Sequence, residues 1–189
     1  MYKELKEYAI QNSIPIVEDE TLEFLINFIK ENNIENILEI GSAIGYSAIN
    51  MAGSCDIQIE TIERDIYRYN IAKMNINKYN LDNKIKIHNM DALNFDTNEK
   101  FDLIFIDASK SQNIKFFEKF KENLSKDGYI ITDNLNFHGM INTDYNSLTK
   151  NVKGLVRKIN SYVDFLNENK EFETKFLSIG DKISISKKI

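Results

Sequence analysis

Residues 36–47 read NILEIGSAIGYS, and the organisation of the chain is clearest there. Asn36–Ile40 (NILEI) is a short, mostly apolar run, the signature of a strand buried on both faces. Gly41 and Gly45 follow it and supply a tight turn. A helix is expected from about Tyr46. Working outward, the same unit recurs. Residues 57–63 (IQIETIE) alternate as a strand, and Asp65 can cap a helix running to about Asn80. Residues 84–88 form a third strand. Residues 101–107 (FDLIFID) form a fourth, followed by a helix over 110–123. Residues 128–133 (GYIITD) form a fifth, followed by a helix over about 146–168. Strands alternating with helices of this length argue for βα units and a mainly parallel sheet. The last piece departs from the pattern: residues 172–179 and 182–186 are two strands joined at Gly180-Asp181, an antiparallel hairpin. Ahead of the first strand, residues 2–11 and 19–31 carry helical periodicity, with Asp19 placed as an N-cap. The expectation is one α/β domain over 1–189, with N-terminal helices over 1–31 and a core over 35–189. Its sheet has seven strands, the last reversed, with helices on both faces.

Composition bounds the function. The 189 residues are 42% hydrophobic and 28% charged, as in soluble globular proteins. One cysteine, Cys55, excludes an internal disulfide framework and a cysteine-rich zinc site, and fits a reducing, cytoplasmic setting. The opening MYKELKEYAIQ places charges among its apolar positions and does not read as a secretory leader. No apolar run approaches the roughly 20 residues of a membrane span. The net charge of −5 argues against a globally basic nucleic-acid binder and leaves room for a local basic face. Residues 145–160 are such a face: Lys150, Lys153, Arg157 and Lys158 stand there with no acid.

Ligands of open α/β sheets bind beyond the carboxyl ends of the strands. Those ends here hold Glu39 before the glycine turn, then Glu63, Asp91-Ala92, Asp107 and Asp133-Asn134. Carboxylates crowded on one rim repel one another unless a cation shares the space. A glycine turn after the first strand suits a dinucleotide or S-adenosylmethionine. The dinucleotide pattern G-x-G-x-x-G is broken by Ala43, and Glu39 would repel a diphosphate. A carboxylate there instead suits the ammonium end of S-adenosylmethionine, with Gly41 admitting the ligand close to the backbone. Glu63 can accept from two ribose hydroxyls, a role common to both cofactors. Asp107, Asp133 and Asn134 offer three hard oxygen ligands of the type Mg²⁺ prefers. Lys110 stands at the mouth of the same site, as a substrate-orienting or catalytic group. His88 reads as a core or rim histidine and His138 as a loop residue.

The ordered set LEIGSAIGYSA, TIERD, MDAL, FIDASK and TDNLNFHG resembles the cation-dependent O-methyltransferase family, which includes catechol and caffeoyl-CoA enzymes. Within it, the closing stretch NVKGLVRKINSYVDFLNENKEFETKFLSIGDKISIS is most similar to bacterial tRNA 5-hydroxyuridine methyltransferases. The resemblance implies a Rossmann-like class I methyltransferase fold and S-adenosylmethionine contacts at Val17, Ser47, Glu63, Asp91, Ala92 and Asp107. It also implies Mg²⁺ ligation by Asp107, Asp133 and Asn134, and a homodimer. The acceptor is then a tRNA or a small hydroxylated aromatic or acyl-CoA. An NAD-dependent oxidoreductase or a non-catalytic nucleotide-binding module is the reading from another class.

Overall fold

The structure is a computed structural model that describes residues 2–136 and 149–189. Two helices open the chain, α1 (Lys3–Gln11) and α2 (Asp19–Glu31). The βα units follow as β1 (Asn36–Ile40), α3 (Tyr46–Ser54), β2 (Gln58–Glu63), α4 (Ile66–Lys78) and β3 (Ile85–Asn89). They continue as β4 (Phe101–Ile106), α5 (Asn113–Phe120), β5 (Leu124–Thr132) and α6 (Lys150–Glu168). The terminal hairpin is β6 (Phe172–Leu177) and β7 (Ile183–Lys188). One seven-stranded sheet has the order β3-β2-β1-β4-β5-β7-β6. The first five strands are parallel, and β7 inserts between β5 and β6 and runs against both.

Strand periodicity distributes the core over two layers. Ile37, Ile59, Leu103, Phe105 and Ile131 face α1 to α4, whose Leu5, Leu22, Leu25, Ile49 and Ile76 pack against them. Leu38, Ile40, Ile62, Ile104, Ile106 and Ile130 face the other way, onto Phe116, Phe117 and Phe120 of α5 and Tyr162 and Leu166 of α6. Each such aromatic contributes roughly 1.5–3 kcal/mol by leaving water. Both faces of the central strands are therefore dry, which is why those strands read as nearly continuous apolar runs.

Asp65 caps α4, its Oδ1 accepting from Tyr67 N and Arg68 N at 2.9 Å each. Two local expectations are corrected. Asp19 is the first helical residue and not the cap: Glu18 holds the extended cap geometry, while Asp19 takes an ion pair from Lys6. The helix expected over 110–123 is α5 flanked by single 3₁₀ turns at 110–112 and 121–123, because Gln112 leaves helical backbone angles (φ −120°, ψ 3°). α6 starts at Lys150 after Thr149, whose hydroxyl accepts from Val152 N. His138 and residues 145–148 of the basic segment lie outside the described residues.

Candidate active site

Between β1 and β4 the chain leaves the sheet toward opposite faces, α3 to one and α5 to the other, which opens a crevice at the strand ends. A cleft of about 570 Å³ occupies it. Its floor is the turn after β1. Gly41 has φ +101°, and a Cβ there would come within 2.3 Å of the Asp107 carbonyl oxygen, so only glycine lets the two strand ends meet. Ala43 is also left-handed (φ 46°), which aims its N–H at Glu63 Oε2, 2.9 Å away. A second depression of about 540 Å³ lies at the opposite ends of the strands, by Asn36, Gln58, Lys84 and Phe101, away from these groups.

Nine of the residues expected at the site line the cleft: Val17, Gly41, Ser47, Glu63, Asp91, Ala92, Asp107, Lys110 and Asn134. Glu63 is tethered twice, Oε2 accepting from Ala43 N and Oε1 from Asp65 N at 2.8 Å. One lone pair on each oxygen remains for a ligand. Asp91 Oδ1 accepts from Leu93 N at 2.9 Å, which fixes the turn that presents Ala92.

Glu39 departs from expectation. It is fully buried and does not line the cleft. Ser47 Oγ and Thr61 Oγ1 each donate to its carboxylate at 2.5 Å, and burial pushes its carboxyl up to about 7 despite these bonds. The alternation of β1 sends its side chain beneath the glycine turn, beside α3, so it reaches the cleft only through the Ser47 hydroxyl.

Asp107, Asp133 and Asn134 come together at the ends of β4 and β5. Asn134 Nδ2 donates to Asp107 Oδ1 at 3.0 Å and to Asp133 Oδ2 at 3.1 Å, and Asn134 N donates to Asp133 Oδ1 at 2.7 Å. A left-handed backbone at Asn134 (φ 64°) turns its side chain back between the two acids. Burial first, then the Asp107 charge, pushes the Asp133 carboxyl up to about 7; burial also raises Asp107, and the Lys110 ammonium pulls both down. Two carboxylates that burden each other, with an amide oxygen within one side-chain rotation, match a hard divalent cation in charge and donor type. Asp133 is 2% exposed and sits behind Asn134, off the cleft surface.

Sequence reading missed other lining groups. Tyr46 closes the floor beside α2; burial, with the Asp19 charge, pushes its hydroxyl up to about 12. Arg64, Arg68 and Met90 form the rim past Glu63, and Pro15, Ile16 and Glu18 flank the expected Val17 on another wall. TIERD contains Arg64 beside an acid already singled out, the one signal that pointed there. His88 is half-buried and bonds Glu60 at 2.6 Å, away from the cleft.

The chain matches the O-methyltransferase family over residues 1–189. It belongs to that family. Membership makes it an S-adenosylmethionine-dependent O-methyltransferase, in place of an oxidoreductase or a nucleotide-binding module. A Staphylococcus aureus structure described as a candidate caffeoyl-CoA O-methyltransferase is 38% identical with a TM-score of 0.94, covering 99% of this chain and 91% of its own. The caffeoyl-CoA O-methyltransferase of Populus kitakamiensis is 26% identical over 97% of this chain and 82% of its own. An O-methyltransferase of Bacillus cereus, solved with S-adenosylhomocysteine, shares the fold at 24% identity and a TM-score of 0.84, covering 99% and 90%.

Proposed function

We propose that the protein moves the methyl group of S-adenosylmethionine onto an acceptor hydroxyl with the help of Mg²⁺, and that the acceptor is a 5-hydroxyuridine of tRNA. The carrying observation is the Asp107, Asp133, Asn134 cluster, gathered at two adjacent strand ends beside the cleft that Glu63 and Ser47 line. Glu63 holds its two free lone pairs toward the ribose hydroxyls. Val17, Gly41, Ser47, Asp91, Ala92 and Asp107 complete the cofactor wall, with Glu39 acting through Ser47. The cofactor supplies an electrophilic methyl. The cation, held by the two aspartates and the asparagine, supplies Lewis acidity that favours an anionic acceptor oxygen near neutral pH. Lys110 orients the acceptor through Nζ or takes its proton. Holding both partners in one cleft turns the transfer into an effectively unimolecular step.

The tRNA reading is supported by α6, which packs against the 110–112 turn at the cleft and carries its basic residues in its first half. A basic surface beside a pocket can hold phosphates while one base is splayed inward. The second reading, a small hydroxylated aromatic or its CoA thioester, is supported by the relative named for caffeoyl-CoA. Mass spectrometry of anticodon nucleosides tests both. With tRNA from a strain lacking the gene, added enzyme, S-adenosylmethionine and Mg²⁺ are expected to add one methyl to 5-hydroxyuridine. Unchanged tRNA, together with efficient methylation of a catechol or caffeoyl-CoA, would establish the second reading instead.

A further inference from the structure

The chain holds 21 lysines and only three arginines, and two of those three, Arg64 and Arg68, line the cleft. Neither guanidinium has an ion pair or hydrogen bond among the described residues. The nearby acids are engaged elsewhere: Glu63 by Ala43 N and Asp65 N, and Asp65 by Tyr67 N and Arg68 N. Between the two arginines in sequence, on the first turn of α4 just outside the cleft lining, stands an aromatic ring with no evident packing role: Tyr67 is 78% exposed and stacks on no other ring among the described residues. Met90, also on the cleft wall, is 37% exposed. Paired guanidiniums suit the planar, bidentate recognition of phosphate in a way that lysine does not. An exposed aromatic among cations is the usual platform for an unstacked base.

We propose that Arg64, Tyr67 and Arg68 form a nucleotide-binding shelf on the cleft rim, where Tyr67 stacks a base of a single-stranded acceptor and the arginines hold its phosphodiesters. The shelf rests on the reading of the acceptor as RNA and deepens it. It lies at the β2 side of the cleft, beyond Glu63, whereas α6 borders the β4 and β5 side. A nucleic-acid loop entering the cleft would thus be held on both flanks.

The test uses the full chain and an anticodon stem-loop RNA as the probe, with fluorescence anisotropy at several salt concentrations and calorimetry with S-adenosylhomocysteine. For the Arg64→Ala/Arg68→Ala variant the expected result is at least tenfold weaker RNA binding. The salt dependence of log K should become shallower by about 0.7 for each phosphate that the variant no longer neutralises. Tyr67→Ala should weaken binding roughly 5- to 150-fold, the range of one missing base stack, while Tyr67→Phe retains most of it. Arg64→Lys/Arg68→Lys should fall between, keeping charge without the fork. Wild-type RNA affinity in the double alanine variant, with wild type itself methylating tRNA, overturns the shelf and leaves the tRNA reading standing. Equal losses of S-adenosylhomocysteine affinity and RNA affinity also overturn it, by making the arginines cofactor groups. If wild type neither binds nor methylates tRNA, the acceptor reading fails and the shelf falls with it.

Discussion

Glu63 and Glu39 are one strand apart, and their surroundings give them different work. Glu63 is 7% exposed, tethered by two backbone amides, and still faces the cleft. Glu63→Ala is expected to weaken S-adenosylhomocysteine binding by about 1.5–3 kcal/mol, read by calorimetry, because bonds to a charged acceptor are the stronger kind. Glu39 is sealed under the turn, and its carboxyl is raised from about 4.5 to about 7, first by burial. A raised folded-state value means that the native protein keeps this proton while the unfolded chain has lost it. This contribution to stability is therefore complete below about pH 4.5, declines as pH rises toward 7, and is flat above. Glu39→Gln is expected to remove a decline on the order of 3 kcal/mol between those limits. Urea titrations of both proteins at pH 5 and pH 8 check this, and an identical pH slope in the two would contradict it.

Among the elements, α6 joins packing to the cleft. Its apolar side, Val156, Ile159, Tyr162 and Leu166, is buried, and Tyr162 OH bonds Thr132 Oγ1 at 2.7 Å on β5. That anchors the helix on the strand that leads into Asp133. Its opening half carries Lys150, Lys153, Arg157 and Lys158, and the helix packs against the 110–112 turn. On the tRNA reading, Lys153→Glu with Arg157→Glu is expected to reduce tRNA methylation at least tenfold while S-adenosylhomocysteine affinity stays within about twofold. Arg157 is exposed and Lys153 half-buried, so circular dichroism of the variant checks that the fold is kept. Normal methylation by that variant would remove α6 from the docking surface.

For the whole molecule, the decisive feature is that two acids from neighbouring strands, Asp133 buried and Asp107 half-buried at the cleft, share one end of the sheet. A cation binding there would stabilise the native state by mass action, about 2.7 kcal/mol at 100 times its Kd. Thermal melts at pH 8 are thus expected to shift upward on adding Mg²⁺ and to return on adding EDTA. Methyl transfer is expected to stop in EDTA. Asp133→Ala is expected to abolish both the Mg²⁺ shift and turnover while sparing cofactor affinity, because Asp133 lies off the cleft surface. Full turnover in excess EDTA would refute the cation's role.

NILEI and FDLIFID announced buried parallel strands by their own composition, and the Gly180-Asp181 turn announced the final hairpin. Alternating strand and helix lengths then sufficed for a seven-stranded sheet with a reversed last member. Strand-end position alone picked out Glu63, Asp91 and Asp107, because in a parallel sheet every carboxyl end emerges on the same rim. Three things depended on tertiary structure. That Glu39 lies under the turn follows from the face its strand presents to α3, a packing outcome. That Asn134 bridges Asp107 and Asp133 follows from a left-handed backbone angle and the β4–β5 register. That Arg64 and Arg68 border the cleft follows from where α4 begins relative to β1, residues distant in sequence. Local pattern is written in neighbouring residues, whereas these placements arise only when separate strands are brought side by side.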